Sequence, residues 1–159
     1  MLQHAFYESP LGPLHLAFEE ECLTDLALAD RPAGENRPTS FSDRVYKQVL
    51  EYLEGERFSF DLPYRLEGSA FQKKVLDALS AIPYGTVATY GEIAEKIGSP
   101  RSARAVGNPC HKNRLLLIIP CHRVVGKGNL GGYGGRMDIK EFLLSLEYNN
   151  FAKQYSLNT

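Results

Sequence analysis

The run IIPCHRVV, residues 118–125, sets a cysteine between aliphatic side chains and a histidine–arginine pair. The reactive form of cysteine is its thiolate, and a histidine base or a nearby cation raises the thiolate population near neutral pH. Cys121 with His122 and Arg123 therefore has the parts of an activated nucleophile. Adjacent residues of an extended chain point to opposite sides, so His122 would work through a water or a neighbouring loop. Two other readings fit the same residues. Free cysteine is among the most buried residue types, which would make Cys121 an inert core thiol. Cys110-His111 and Cys121-His122 could also offer two cysteines and two histidines to zinc. Each pair is adjacent, however, and lacks the spacing of roughly two to four residues that turns both side chains toward one metal.

The segment past the cysteine bears on the choice. Gly126, Gly128, Gly131, Gly132, Gly134 and Gly135 surround Tyr133, making a glycine-rich loop with one aromatic ring. Such a loop can present backbone N–H groups and close over a ligand, or serve only as a surface hairpin. It lacks the Gly-Lys-Ser/Thr ending of a phosphate-binding loop. Upstream, RSARAVG, residues 101–107, sets two arginines among small side chains. Arg101 and Arg104 share one side of a helix, while Ser102, Ala103 and Ala105 let its backbone approach another surface closely. That surface is either a nucleic acid or a neighbouring helix.

The elements that must hold these groups fall into two parts, residues 1–65 and 66–159. In the first, Phe6 onward, Leu14 to Phe18 and Leu23 to Leu28 predict an antiparallel meander, broken at Ser9-Pro10-Leu11-Gly12 and at Glu19-Glu20-Glu21. Residues 30–40 read as a loop, and Val45, Val49, Tyr52 and Leu53 recur at helical spacing behind Ser42, to about Glu54. Residues 55–68 connect the parts. The second part is helical. Ser69 to Gln72 and Thr89 to Glu92 fit capping boxes, the first opening a helix with Phe71, Val75, Leu79 and Ile82 on one face. The second opens a short helix with Ile93, Ala94 and Ile97 inward, ended by Gly98. Ser99-Pro100 then predicts a helix from Arg101 to about Gly107, which completes a helix-turn-helix pattern. Asn108 to Asn113 reads as a loop and Leu115 to Ile119 as a buried extended run. A last helix from Asp138 carries Phe142, Leu143 and Leu146 to Glu147, with FAKQYSLNT as a surface tail. A carboxylate near a helix C-terminus opposes the dipole, which hints that Glu147 has another task.

With 159 residues and 43% hydrophobic side chains the chain can build an ordinary globular core. It has no run of about 20 apolar residues, the length a membrane span requires, and its N-terminus lacks the zones of a signal peptide. Three cysteines, an odd number, suit a reducing compartment, so the expected location is the cytoplasm. The net charge is −1, but residues 96–140 carry nine basic side chains against Asp138 alone. That stretch would draw a phosphate backbone, or form a solvated basic face.

Taken together, these segments resemble the O6-alkylguanine-DNA alkyltransferases, also called methylated-DNA–protein-cysteine methyltransferases. The resemblance is strong over about residues 69–148: FQKKVLDALSAIPYGTVATYGEIA, SARAVGN, IIPCHRVV, the glycine loop with its tyrosine, and KEFLLSLE. It is looser in the first half, where it rests on YESPLGPLHLAF and the strand pattern. The resemblance implies an α/β, ribonuclease H-like N-terminal domain (1–65) and a mainly α, winged-helix-like C-terminal domain (66–159) with the helix-turn-helix. It implies direct reversal of damage, in which Cys121 irreversibly takes the alkyl group from O6-alkylguanine, or O4-alkylthymine, in double-stranded DNA. By the same resemblance, His122 takes the thiol proton through a water and Glu147 polarises His122. Tyr90 protonates the leaving base, and Asn113 braces the turn below the nucleophile. The carbonyls of Cys121 and Val124 recognise the guanine amino group, Tyr133 closes over the base, and the amide of Gly134 contacts O6. Arg104 enters the stack in place of the flipped nucleotide, with Arg101, Ser102 and Ala103 pressed into the minor groove.

Serine replaces Gly134 in better-known members, so a side-chain contribution there is absent. The resemblance implies no cofactor, and the chain is expected to act as a monomer with no membrane contact. Some relatives hold zinc in the N-terminal half, but Cys22, His4 and His15 lack ligand spacing, so no metal is expected. Cys110 reads as structural or as a second alkylation-sensitive thiol. A lesion-binding module built on the same helix-turn-helix is the competing function, and Cys121 favours transfer over it.

Overall fold

The computed structural model describes residues 1–29, 34–133 and 136–157, with the backbone alone for 154–157. The chain forms two units: residues 1–67 with 114–116, and residues 68–113 with those from 117 onward. Gly134, expected to face O6 of the base, lies outside the described residues, as do positions 30–33 of the expected loop and the last two of the expected tail.

The first unit is built on the meander β1 (Gln3–Ser9), β2 (Gly12–Glu19) and β3 (Cys22–Leu28), paired in that order. Its first turn is tight because Gly12 adopts φ +118°, while Ser9 Oγ accepts from the Leu11 amide and donates to the Gly12 carbonyl. Leu14, Leu16 and Phe18 alternate along β2 and are buried, as a half-covered sheet requires. Helix α1 (Ser40–Leu53) buries Val45, Val49 and Tyr52. It begins before the Ser42 position expected from sequence, because Thr39 is the cap. Thr39 Oγ1 accepts from the Ser42 amide at 3.2 Å, and Ser42 Oγ accepts from the Thr39 amide at 2.7 Å. Residues 114–116 join this unit through Leu26 N–H to Arg114 O at 2.7 Å and Leu116 N–H to Leu26 O at 2.9 Å.

In the second unit, α2 (Ala70–Ser80) and α3 (Tyr90–Lys96) start in the two capping boxes that the sequence marks. Val75 and Leu79 are fully buried along α2; each contributes on the order of 1.5–3 kcal/mol of apolar burial. Strand β4 (Ala88–Thr89) pairs in parallel with β5 (Val124–Val125), with Ala88 opposite Val124 and Thr89 opposite Val125. This short pair draws the start of α3 to the segment that follows Cys121.

Three sequence expectations need correction here. Helix α4 spans Ala103–His111, so Arg101 and Ser102 precede it and Asn108 to His111 are helical rather than a loop. Pro109 removes one backbone donor, but it is buried with Val106, three residues back on the same face, and Lys112 N–H still reaches Asn108 O at 3.1 Å. Residues 115–119 do not run extended. Leu115, Leu117 and Ile119 are buried, yet the chain turns at Leu117, whose φ of +69° lies in the left-handed region. Finally, α5 spans Met137–Leu157, so residues 151–157 of the expected tail are helical and Glu147 sits at mid-helix. The dipole argument for Glu147 therefore fails, because the field of the helix end is confined to its last turn.

Candidate active site

Cys121 opens a single 3-10 turn, Cys121–Arg123, behind Pro120. Such a turn sets successive side chains about 120° apart, not on opposite sides as in the extended segment expected from sequence. The turn is pinned by Arg123 N–H to Pro120 O at 2.9 Å and Cys121 N–H to Ile119 O at 2.8 Å. Beneath it, Asn113 Nδ2 donates to Ile119 O at 2.8 Å and lies 3.2 Å from Cys121 Sγ. Burial pushes the Cys121 thiol above its ordinary pKa, and the Asn113 amide and the Lys140 ammonium oppose that shift only in part. The resting sulfur is therefore a thiol that needs a base.

Next to it in the chain stands His122, the imidazole of an imidazole–carboxylate pair with Glu147. Both are buried, and His122 Nε2 lies 2.7 Å from Glu147 Oε2. Burial lowers the His122 pKa, and Glu147 opposes the shift. The imidazole is thus neutral near pH 7 and can accept a proton. For Glu147, burial would raise the carboxyl pKa, but hydrogen bonds from His122 and Arg123 outweigh it and hold the group well below the usual carboxylate range. The carboxylate is anchored on four sides. Arg123 Nε donates to Oε1 at 2.7 Å and Nη2 to Oε2 at 2.8 Å, the Gly85 amide donates to Oε1 at 3.1 Å, and His122 is the fourth. Arg123 also donates from Nη1 to Ile82 O at 2.8 Å and lies 5.6 Å from the centre of the Tyr84 ring.

Sequence reasoning assigned Arg123 to the thiolate. The structure assigns it to Glu147. Lys140, counted from sequence only among the basic residues, is 0% exposed. A legible signal existed, since Lys140, Leu143 and Glu147 follow an i, i+3, i+7 stripe.

The remaining expected residues surround the sulfur or lie apart from it. Tyr90 is the first residue of α3; burial raises its pKa, and a hydrogen bond from the Gly132 backbone opposes the shift. It therefore keeps its proton. Tyr133 lies close enough to Cys121 for the two groups to affect each other's ionisation, and burial holds its phenol far above its usual range. Val124 is buried, with its carbonyl accepting from Lys140 Nζ at 2.6 Å. On α4, Arg104 and Ala105 are exposed and Ala103 is half-buried; Arg101, ahead of the helix, is exposed and Ser102 half-buried. Cys110, in the last turn of α4, is linked to the site through Asn113, whose amide donates to its carbonyl at 3.3 Å. Burial pushes its thiol up to about 12, so it is a poorer nucleophile than a surface cysteine.

His111 and His122 are not gathered with the cysteines: His111 is exposed and His122 faces Glu147. Among the described residues no group of three or more His, Cys, Asp and Glu side chains could hold a metal. In the first unit His4 Nδ1 lies 2.8 Å from His15 Nε2, with the rings stacked. A groove of about 930 Å³ runs past Val87, Val125, Leu130, Leu144 and Tyr148; Glu147 borders it, but Cys121 and Tyr90 do not.

Residues 70–149 match the family described as 6-O-methylguanine DNA methyltransferase, DNA binding domain, and residues 2–66 match its ribonuclease-like domain. A methylated-DNA–protein-cysteine methyltransferase of Methanosarcina acetivorans is 44% identical over 153 residues, covering 92% of this chain and 98% of that protein. The constitutive enzyme of that name from Bacillus subtilis is 41% identical over 158 residues, covering 92% and 96%. Among solved structures, the Mycobacterium tuberculosis O6-methylguanine methyltransferase superposes with a TM-score of 0.87 at 38% identity, covering 94% of each chain. The M. tuberculosis OGT in complex with DNA superposes with a TM-score of 0.86 at 39% identity, covering 92% and 93%.

Proposed function

Because the chain belongs to the 6-O-methylguanine DNA methyltransferase family, DNA-binding repair enzymes that move an alkyl group from DNA to a cysteine, we propose that Cys121 is the acceptor and O6-alkylguanine the donor. Its ribonuclease-like sheet domain precedes a helical DNA-binding domain. The single observation that supports the residue assignment is the buried His122–Glu147 pair, held by Arg123 and next in the chain to Cys121.

The alkyl carbon is unreachable in a stacked duplex, so the nucleotide is rotated out, at a cost of a few kcal/mol. Arg104, exposed on α4 beside the small Ala103 and Ala105, fills the gap from the minor groove, and Arg101 and Ser102 contact the backbone. The flipped base stacks under Tyr133, with the Cys121 and Val124 carbonyls facing its amino group. Neutral His122 then takes the thiol proton through a water, and the fixed carboxylate of Glu147 steadies the imidazolium. The thiolate attacks the alkyl carbon, a sulfur–carbon bond forms as the carbon–oxygen bond breaks, and Tyr90 passes a proton to the departing guanine. His122 returns a proton to the tyrosinate through solvent. One thiol and one alkylated base become one thioether and one guanine. The thioether has no leaving group that restores it, so each molecule acts once. No helix among the described residues is long and apolar enough to cross a membrane; the proposed reading is a monomer that acts in the cytoplasm.

The test is to incubate the protein with duplex DNA bearing one O6-methylguanine, then measure intact mass and map the modified peptide. A gain of one methylene unit on Cys121 with guanine restored is expected. Unchanged mass under conditions where the duplex is bound refutes transfer and leaves a lesion-binding protein.

A further inference from the structure

The transfer chemistry leaves one buried charge unused. The side chain of Lys140, in the first turn of α5, is 0% exposed, and its Nζ donates to Val124 O at 2.6 Å and Gly132 O at 3.1 Å. Both acceptors are neutral, and no carboxylate among the described residues forms an ion pair with it. An ammonium in that state is costly unless an anion comes close. Val124 lies three residues after Cys121, and Gly132 immediately precedes Tyr133, so the ammonium ties together the two segments that flank the sulfur.

The titratable groups that feel Lys140 are Cys121, Cys110 and His122. The Cys121 and Cys110 thiolates favour a charged Lys140, and Lys140 favours both thiolates while opposing a protonated His122. The other buried cation of the site, Arg123, is spent on Glu147. Cys110 sits in the last turn of α4, and His111, the histidine that follows it, is exposed rather than buried against a carboxylate as His122 is.

We propose that Lys140 is a positioning residue that supplies the counter-charge for the Cys121 thiolate while binding Val124 and the Tyr133 loop around it. This rests on Cys121 being the acceptor.

Iodoacetamide alkylates Cys121 without DNA, base recognition or leaving-group protonation, so its pH profile, mapped to the Cys121 peptide, reads the thiolate population alone. Lys140→Met is expected to move the midpoint of that profile upward by about one unit, roughly a tenfold loss of rate at pH 7, and Lys140→Arg to recover most of it. A Lys140→Met profile that superimposes on the wild type, with only transfer from O6-methylguanine duplex slowed, would overturn the proposal and leave Lys140 a structural strap. If Lys140→Met does not fold, the titration of Lys140 itself decides, followed through its Cε resonance. It must fall when Cys121 is replaced by Ser, because coupling between two charges is reciprocal; an unmoved titration overturns the proposal. Wild-type protein that reacts with iodoacetamide but not with alkylated duplex would refute the transfer reading while leaving the charge pairing standing.

Discussion

Arg123 and Glu147 meet in a two-pronged pair, Nε to Oε1 at 2.7 Å and Nη2 to Oε2 at 2.8 Å, with both side chains buried. The carboxylate that His122 contacts is thereby fixed at both oxygens, Oε2 being shared between Arg123 and the imidazole, and its charge is balanced by a buried partner. Removing one member of a buried pair leaves the other charge stranded. Arg123→Leu is expected to cost about 3–5 kcal/mol in urea unfolding. The double variant Arg123→Leu/Glu147→Leu should regain part of that stability and none of the transfer activity. Equal stability of the single and double variants would mean that the pair is not the source of the loss.

Stability should fall on acidification in two stages. The folded pKa of His122 lies below its ordinary 6.5, so the unfolded chain binds more protons and stability is lost as pH falls below about 6.5. Glu147, depressed from 4.5, contributes stability that is complete above about 4.5 and lost as pH falls toward its folded value. His15, also lowered by burial, adds to the first stage. Urea midpoints at pH 7.5, 5.5 and 4 would show both, and His122→Gln should flatten the first without removing the second.

Gly131 has φ +74°, and a Cβ there would lie 3.0 Å from the Tyr90 hydroxyl. Gly131→Ala should cost about 1–2 kcal/mol from the left-handed backbone alone and slow transfer further by displacing the Tyr90 ring. Single-turnover rates that match the wild type would separate Tyr90 placement from that loop.

Asn113→Ala removes the donors to Ile119 O and Cys121 Sγ. The Asn113 bond favours the thiolate, so the pH midpoint for iodoacetamide reaction at Cys121 should rise and the rate at pH 7 should fall. A lowered midpoint would contradict the assigned direction of that hydrogen bond.

Arg104 is exposed, so Arg104→Ala should change stability by less than about 0.5 kcal/mol while slowing transfer from duplex DNA. Reaction with free O6-alkylguanine base, which needs no flipping, should be unaffected. Cys121→Ser should do the reverse for chemistry, binding duplex while transferring nothing.

Local signals in the sequence carried much of this. Both capping boxes in the second unit lie where Ser69–Gln72 and Thr89–Glu92 place them, because a cap is decided by residues three apart. The Cys121-His122-Arg123 run stands out for the same reason, since its members are adjacent in sequence. What escaped was set by distant neighbours. Nothing near Arg123 in sequence reveals that Glu147 and Ile82 will be its partners. The helical course of Pro109 depends on what it is buried against, and the turn at Leu117 runs against the preference of a non-glycine residue. Glu147 was singled out for a helix-end position it does not occupy. Its helix continues through FAKQYSL, which has no local stop signal.

That continuation matters for how steadily the carboxylate is held. Glu147 stands ten residues from each end of α5. Helices open from their termini, where the last turns exchange with water and the interior does not. A beam supported at mid-span transmits little of the motion of its tips, so loosening of either end of α5 leaves Glu147 in register with His122 and Arg123.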